Sequence, residues 1–122
     1  MSAARFASVA DYLGALDGVK AGTIGAMLDF VLVEFPELAA KIAWNLPTIQ
    51  RDGKYVAGIA AYQRHLTFAP FSPQIMADFS GRLGEYTCFK NCFQIAVDWR
   101  MDRDLLRDLV WARLAELDKC KG

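Results

Sequence analysis

Hydrophobic positions change their period along this chain, and each change marks a new element. From about Lys20 onward, Ile24, Met27, Leu28, Val31, Leu32 and Phe35 recur at the three- and four-residue spacing of one helix face. Ahead of them Ser8 stands where a helix cap belongs, before Val9, Tyr12, Leu13 and Leu16, and Asp17-Gly18 closes that first helix with turn residues. Behind them Pro36 suits the first position of a helical turn. Glu37 precedes Lys41 by four residues, the favourable order for a surface ion pair, so residues 36–43 are expected as a third, short helix.

Past Pro47 the period falls to two. Asp52-Gly53 is a strong hairpin signal because both residues tolerate positive φ, and it joins the expected strands 48–51 and 54–62. In the second of these, Tyr55, Ala57, Ile59 and Ala61 alternate with Val56, Gly58, Ala60 and Tyr62. Neither set is polar, so both faces of the sheet are expected to be covered at least in part. Gln63-Arg64 turns the chain into a third strand, 65–69. Ser72-Pro73 then pairs a cap with a proline at the first helical position, opening a helix whose inward stripe is Ile75, Met76, Phe79 and Leu83 and which Gly84 stops. Strands 85–89 and 92–97, joined at Lys90-Asn91, precede a last helix capped by Asp98 or Asp102. Its buried stripe is Leu105, Leu106, Leu109, Val110, Leu114 and Leu117.

The expected order is three helices, three strands, a helix, two strands and a helix. Hairpin-connected strands flanked by helices imply an α+β fold, an antiparallel five-stranded sheet with helices segregated to one face or end. The 122 residues suit one domain, 1–122, with a packed core over about 8–117 and chain ends before Phe6 and after Leu117 outside it.

Four pieces of this chain keep a characteristic order: Lys41-Ile42-Ala43-Trp44-Asn45-Leu46-Pro47, the turn ending in Gly53-Lys54, the strand beginning His65-Leu66-Thr67-Phe68, and the late run Lys90-Asn91-Cys92-Phe93-Gln94-Ile95. Together they resemble the signature of the YdhG-like family of small bacterial proteins, with Asn91 where relatives usually carry glycine. The resemblance implies an α+β, frataxin-like fold. One branch of that family is described as frataxin-like iron chaperones, which implies weakly held iron and an iron-accepting protein as partner.

Charge and composition narrow the field. Fourteen basic and fourteen acidic residues cancel, with no block of like charge to attract nucleic acid or an anionic membrane. The apolar run 21–35 is interrupted by Asp29 and Glu34 and is shorter than a membrane span requires. Residues 1–6 read neither as the basic start nor as the apolar core of a leader. Three cysteines without repeating spacing argue for a reducing cytoplasm and against a disulfide framework. Cys88 and Cys92 read as small apolar residues, two soft ligands short of a metal site.

No nucleophile elbow, phosphate loop, dinucleotide fingerprint or paired-histidine zinc motif occurs, so no reaction is assigned. His65 is the single histidine. With Lys54, Lys90, Trp44, Tyr62, Phe68 and Phe93 it could line a concave aromatic face suited to a small anionic or aromatic ligand, Lys90 neutralising the charge; the same aromatics also suit a plain core. For iron, hard oxygen donors are needed. Asp11 and Asp17 flank the first helix and are the candidate pair, although with Asp29 and Glu34 they form no continuous acidic row, and Ala40 stands where relatives often have Glu. A third function class is a protein-interaction module. Trp111, at the edge of the last helix's stripe, could anchor a homodimer. Were that so, Trp111→Asp would delay elution in size exclusion; an unchanged volume for the folded variant removes Trp111 from any such interface.

Overall fold

The computed structural model describes residues 5–119, and the chain ends, with Cys120, lie outside the described residues. Four helices, α1 (Val9–Gly14), α2 (Gly18–Glu34), α3 (Pro73–Asp78) and α4 (Arg103–Lys119), accompany five strands. These are β1 (Ala39–Ala43), β2 (Leu46–Arg51), β3 (Lys54–Ala61), β4 (Leu66–Ala69) and β5 (Phe93–Ile95). They form one open sheet in the order β1-β2-β3-β4-β5 with every neighbour antiparallel, so the expected α+β class and strand number hold.

Each helix begins on a short polar side chain that accepts a backbone N–H left over by the first turn. Ser8 Oγ accepts from Asp11, Asp17 Oδ1 from Lys20, Ser72 Oγ from Ile75 and Asp102 Oδ1 from Leu105, at 3.0–3.1 Å. Of the two expected caps for the last helix, Asp102 is therefore the one used. The stripes read from the sequence are buried: Ile24, Met27, Leu28 and Val31 of α2 and all six apolar positions of α4 join Ile49, Ile59, Leu66, Phe68, Phe93 and Ile95 of the sheet in one core.

Two local expectations change. Residues 39–43 are a strand, not part of a third helix. Ala40 and Ile42 pack on the core while Lys41 stands exposed between them, so a period of two was present beneath the helix-favouring Glu37/Lys41 spacing. Pairing with β2 over five residue pairs satisfies the backbone groups of β1 that face β2 and overrides the strong helix propensity of the alanines. Residues 85–89 are not a strand. Among the described residues their backbone meets β5 only at the Cys88–Phe93 bridge and through the Gln94 N–H donating to the Thr87 carbonyl at 2.9 Å. Tyr86 turns inward there, 5.3 Å from Phe93 and 6.2 Å from Trp99, which takes that segment out of extended alternation.

Both hairpins of the β1-β2-β3 meander are two-residue turns with positive φ at each central residue, the signature of a type I′ turn. Asp52 and Gly53 have φ of 51° and 79°; Trp44 and Asn45 have 51° and 62°. Between the pairs Ile49–Ala57 and Gln50–Tyr55 the register slips, leaving Val56 as an extra residue. Such a bulge lets two successive side chains serve one face. Val56 and Ala57 both enter the core, at 0% and 1% exposure, and the strict alternation expected for this strand breaks there.

Ser72 joins two elements, capping α3 while its hydroxyl donates to Glu116 Oε2 of α4 at 2.6 Å. Ser72→Ala removes both bonds at a site only 5% exposed and is expected to destabilise the fold by about 2 kcal/mol, measured by urea denaturation.

Candidate functional site

The sheet face away from the main core is built of small residues. Thr48 pairs with Gly58 and Ala60 with Thr67, and Thr48 and Ala60 are nonetheless buried, at 1% and 7%. What lies above this face is a group of three rings from three separate segments: Trp44 of the β1–β2 turn, Tyr55 at the start of β3 and Phe71 between β4 and α3. Their centroids are 4.6 Å (Trp44–Tyr55), 5.4 Å (Tyr55–Phe71) and 5.8 Å (Trp44–Phe71) apart, all in tilted contact. Gly58 makes the close approach possible. A Cβ there would stand 3.4 Å from the Phe71 ring, at the tight end of van der Waals contact.

Two of the three rings sit on left-handed backbone, Trp44 at φ 51° and Phe71 at φ 55°. Bulky side chains seldom adopt that region, and each instance costs on the order of 1 kcal/mol or more. Asn or Gly would hold the β1–β2 turn at lower cost. The ring at Trp44 is also 66% exposed, so it buries too little area to be there for the core. Asn45 fixes the turn's other side by accepting the Phe6 N–H on its Oδ1 at 2.8 Å. The platform thus combines exposed π-surface with backbone strain, a pairing found at binding sites.

Tyr55 is held from α4. Arg113 donates through Nε to the Tyr55 carbonyl at 3.0 Å and through Nη1 to Glu116 Oε1 at 3.1 Å. Glu116 in turn receives the Ser72 hydroxyl, next to Phe71, so one ion pair on α4 ties down the backbone beside two of the three rings.

No family model matches the chain, and no curated protein does. Among solved structures, a protein of the DUF1801 family, YdhG from Bacillus subtilis, superposes with a TM-score of 0.84 at 20% identity, covering 91% of each chain. This chain has the YdhG-like fold. An uncharacterised conserved protein from Lactobacillus casei superposes with a TM-score of 0.61, also at 20% identity, over 89% of this chain and 91% of its own. At that identity the likeness concerns the fold alone.

On this YdhG-like frame the residues singled out from the sequence fall in separate places. Phe68 and Phe93 are core, 1% and 0% exposed and 5.7 Å apart across β4 and β5. Tyr62 and His65 stack at 4.9 Å in the β3–β4 turn, closed by the Tyr62 N–H donating to the His65 carbonyl. His65 lines a shallow hollow of about 330 Å³ with Glu85, Tyr86, Gln94 and Trp99. Lys90 lines another, about 520 Å³, with Met76, Leu83, Tyr86 and Phe89; Tyr86 stands between the two. Trp44 belongs to the platform, with Lys54 exposed beside Tyr55 in sequence. Tyr55 and Phe71, the other two rings, were not singled out. Phe71 carries no sequence signal for positive φ, and Tyr55 belonged to one of two apolar strand faces that the sequence does not tell apart, its side being set by the bulge at Val56.

Asp11 lies in the first turn of α1, while Asp17 caps α2 and pairs with the Lys20 ammonium at 3.3 Å. Among the described residues no three of His, Cys, Asp and Glu gather as a metal site. Cys92 is half-buried, and desolvation, with the neighbouring Cys88, raises its thiol pKa, which favours the inert protonated form. No helix of the described residues is long and apolar enough to cross a membrane. The Lys20 N–H, assisted by the Lys20 ammonium, holds the Asp17 carboxyl below its ordinary 3.8. A depressed folded-state pKa contributes stability above the unfolded value and loses it as pH falls through the folded one. Wild type is therefore expected to exceed Asp17→Asn in stability near neutral pH, the gap closing in strong acid; urea denaturation across pH checks this.

Proposed function

We propose that this protein is a small-ligand binding module that recognises a planar aromatic group on the Trp44–Tyr55–Phe71 platform. The observation that supports this reading is the 66% exposed Trp44 ring, kept on left-handed backbone against two further rings. A planar ligand laid on that surface gains offset-stacked contact worth about 1 kcal/mol per ring beyond its buried area. The rings are already in mutual contact, so little side-chain entropy is lost on binding. Chemistry at the platform is not part of the reading.

The iron-delivery role implied by family resemblance draws its support from that resemblance. Here Asp17 is engaged as a cap and in an ion pair. Anaerobic ferrous titration of wild type and an Asp11→Ala/Asp17→Ala variant separates the readings: saturable binding lost in the variant favours iron and counts against the platform as the principal site.

The platform reading is tested by two-dimensional amide NMR with indole as probe. Shifts are expected to concentrate at Trp44, Tyr55, Gly58 and Phe71 and to vanish in Trp44→Ala. Shifts confined to the hollows of His65 or Lys90, or no saturable shifts up to millimolar indole, would overturn it.

A further inference from the structure

A groove between the start of α3 and the face of α4 opens directly off the platform, because Phe71 lines both. It has a volume of about 660 Å³, and Ser72, Gln74, Asp78, Arg113 and Lys119 are among its walls. Its formal charges balance, but they are not equally engaged. Asp78 accepts from Gln74 Nε2 at 2.7 Å, and Glu116 accepts from both Ser72 and Arg113, so each acid already has a partner. On the basic side, Arg113 uses Nε and Nη1 and makes no hydrogen bond through Nη2 among the described residues. Lys119 is exposed and takes part in none of the ion pairs there. The charged groups left with unspent donors in the groove are therefore the two cations, Arg113 and Lys119, beside the neutral amide of Gln74.

From these two unspent cations beside two engaged acids we infer that the ligand of the platform is an aromatic anion, its ring on Trp44, Tyr55 and Phe71 and its carboxylate or phosphate in the groove against Arg113 and Lys119. The inference rests on the platform reading and adds the charged half of the ligand. Arg113 suits the role: its guanidinium is planar, permanently charged and only 19% exposed, already oriented by the Tyr55 carbonyl and Glu116, so its remaining N–H donors are held in place. Lys119 adds a second, exposed positive charge to the groove's lining. Lys90, the cation favoured from the sequence, lines a different hollow.

Calorimetry with indole and indole-3-acetate on the full chain tests this. The acetate is expected to bind about fivefold more tightly, the gain from one exposed ion pair of about 1 kcal/mol. That preference should shrink in Lys119→Gln and at high salt, while Lys54→Gln, which removes a cation near Tyr55 but outside the groove, should leave it intact. Lys119→Gln breaks no described bond, so its folding is not at issue. Equal affinity for the two compounds, or a preference removed by Lys54→Gln in place of Lys119→Gln, overturns the anion assignment while leaving the platform standing. Failure of indole itself to bind overturns both.

Discussion

Left-handed backbone at Trp44 and Asn45 is the constraint on which this molecule turns. A two-residue connection between twisted antiparallel strands needs positive φ at both positions, and meeting that need fixes β1 against β2 in a single register. That register places Lys41 opposite Thr48 and Ala40 opposite Ile49, which assigns one face to the core and the other to the rings. The same backbone directs the Trp44 ring back over the sheet, where Tyr55 meets it at 4.6 Å. Strand pairing and platform are thus two consequences of one turn. Asp52-Gly53 does the equivalent work for β2 and β3 with residues that carry little strain.

The two faces of the sheet are stabilised differently. On one, side chains such as Ile49, Ile59, Leu66, Phe68 and Phe93 are almost wholly buried against α2 and α4, where apolar area removed from water dominates. On the other, small residues leave room for rings that remain partly in water. α4 serves both. Its apolar stripe closes the core, while Arg113 and Glu116 on its flank hold the Tyr55 carbonyl and Ser72, so the packing that makes the fold rigid also fixes the rings. A site supported from a rigid helix keeps its geometry better than one resting on loops alone.

Most of the fold was legible in the sequence because most of its signals are local. Caps at Ser8 and Ser72, the Asp52-Gly53 turn and the stripes of α2 and α4 each act within a few residues, and each fell where its pattern predicts, while Asp17, expected only to close the first helix, also caps the second. Long-range pairing was less legible. β1 was hidden because Glu37 and Lys41 satisfy a helical spacing while Ala40 and Ile42 satisfy a strand, and only the partner strand decides between them. The site was legible in part. Trp44 drew notice as one ring of a candidate aromatic face, but Tyr55 required knowledge of the bulge at Val56, and Phe71 the tertiary fact that Gly58 lies beneath its ring. Phe68 and Phe93 carried two readings, core or ligand face, and are core, since alternation alone does not say which face of a two-sided apolar sheet is closed.

The central claim is that Trp44 is retained for its exposed ring and not for the fold. Equilibrium urea unfolding of Trp44→Asn tests it most directly, because Asn relieves the left-handed strain while removing the ring contacts with Tyr55 and Phe71. The two effects, each about 1 kcal/mol, should nearly cancel and leave stability within about 1 kcal/mol of the parent. A loss of about 3 kcal/mol or more, the cost of truncating a core tryptophan, would contradict the account and return the three rings to the fold.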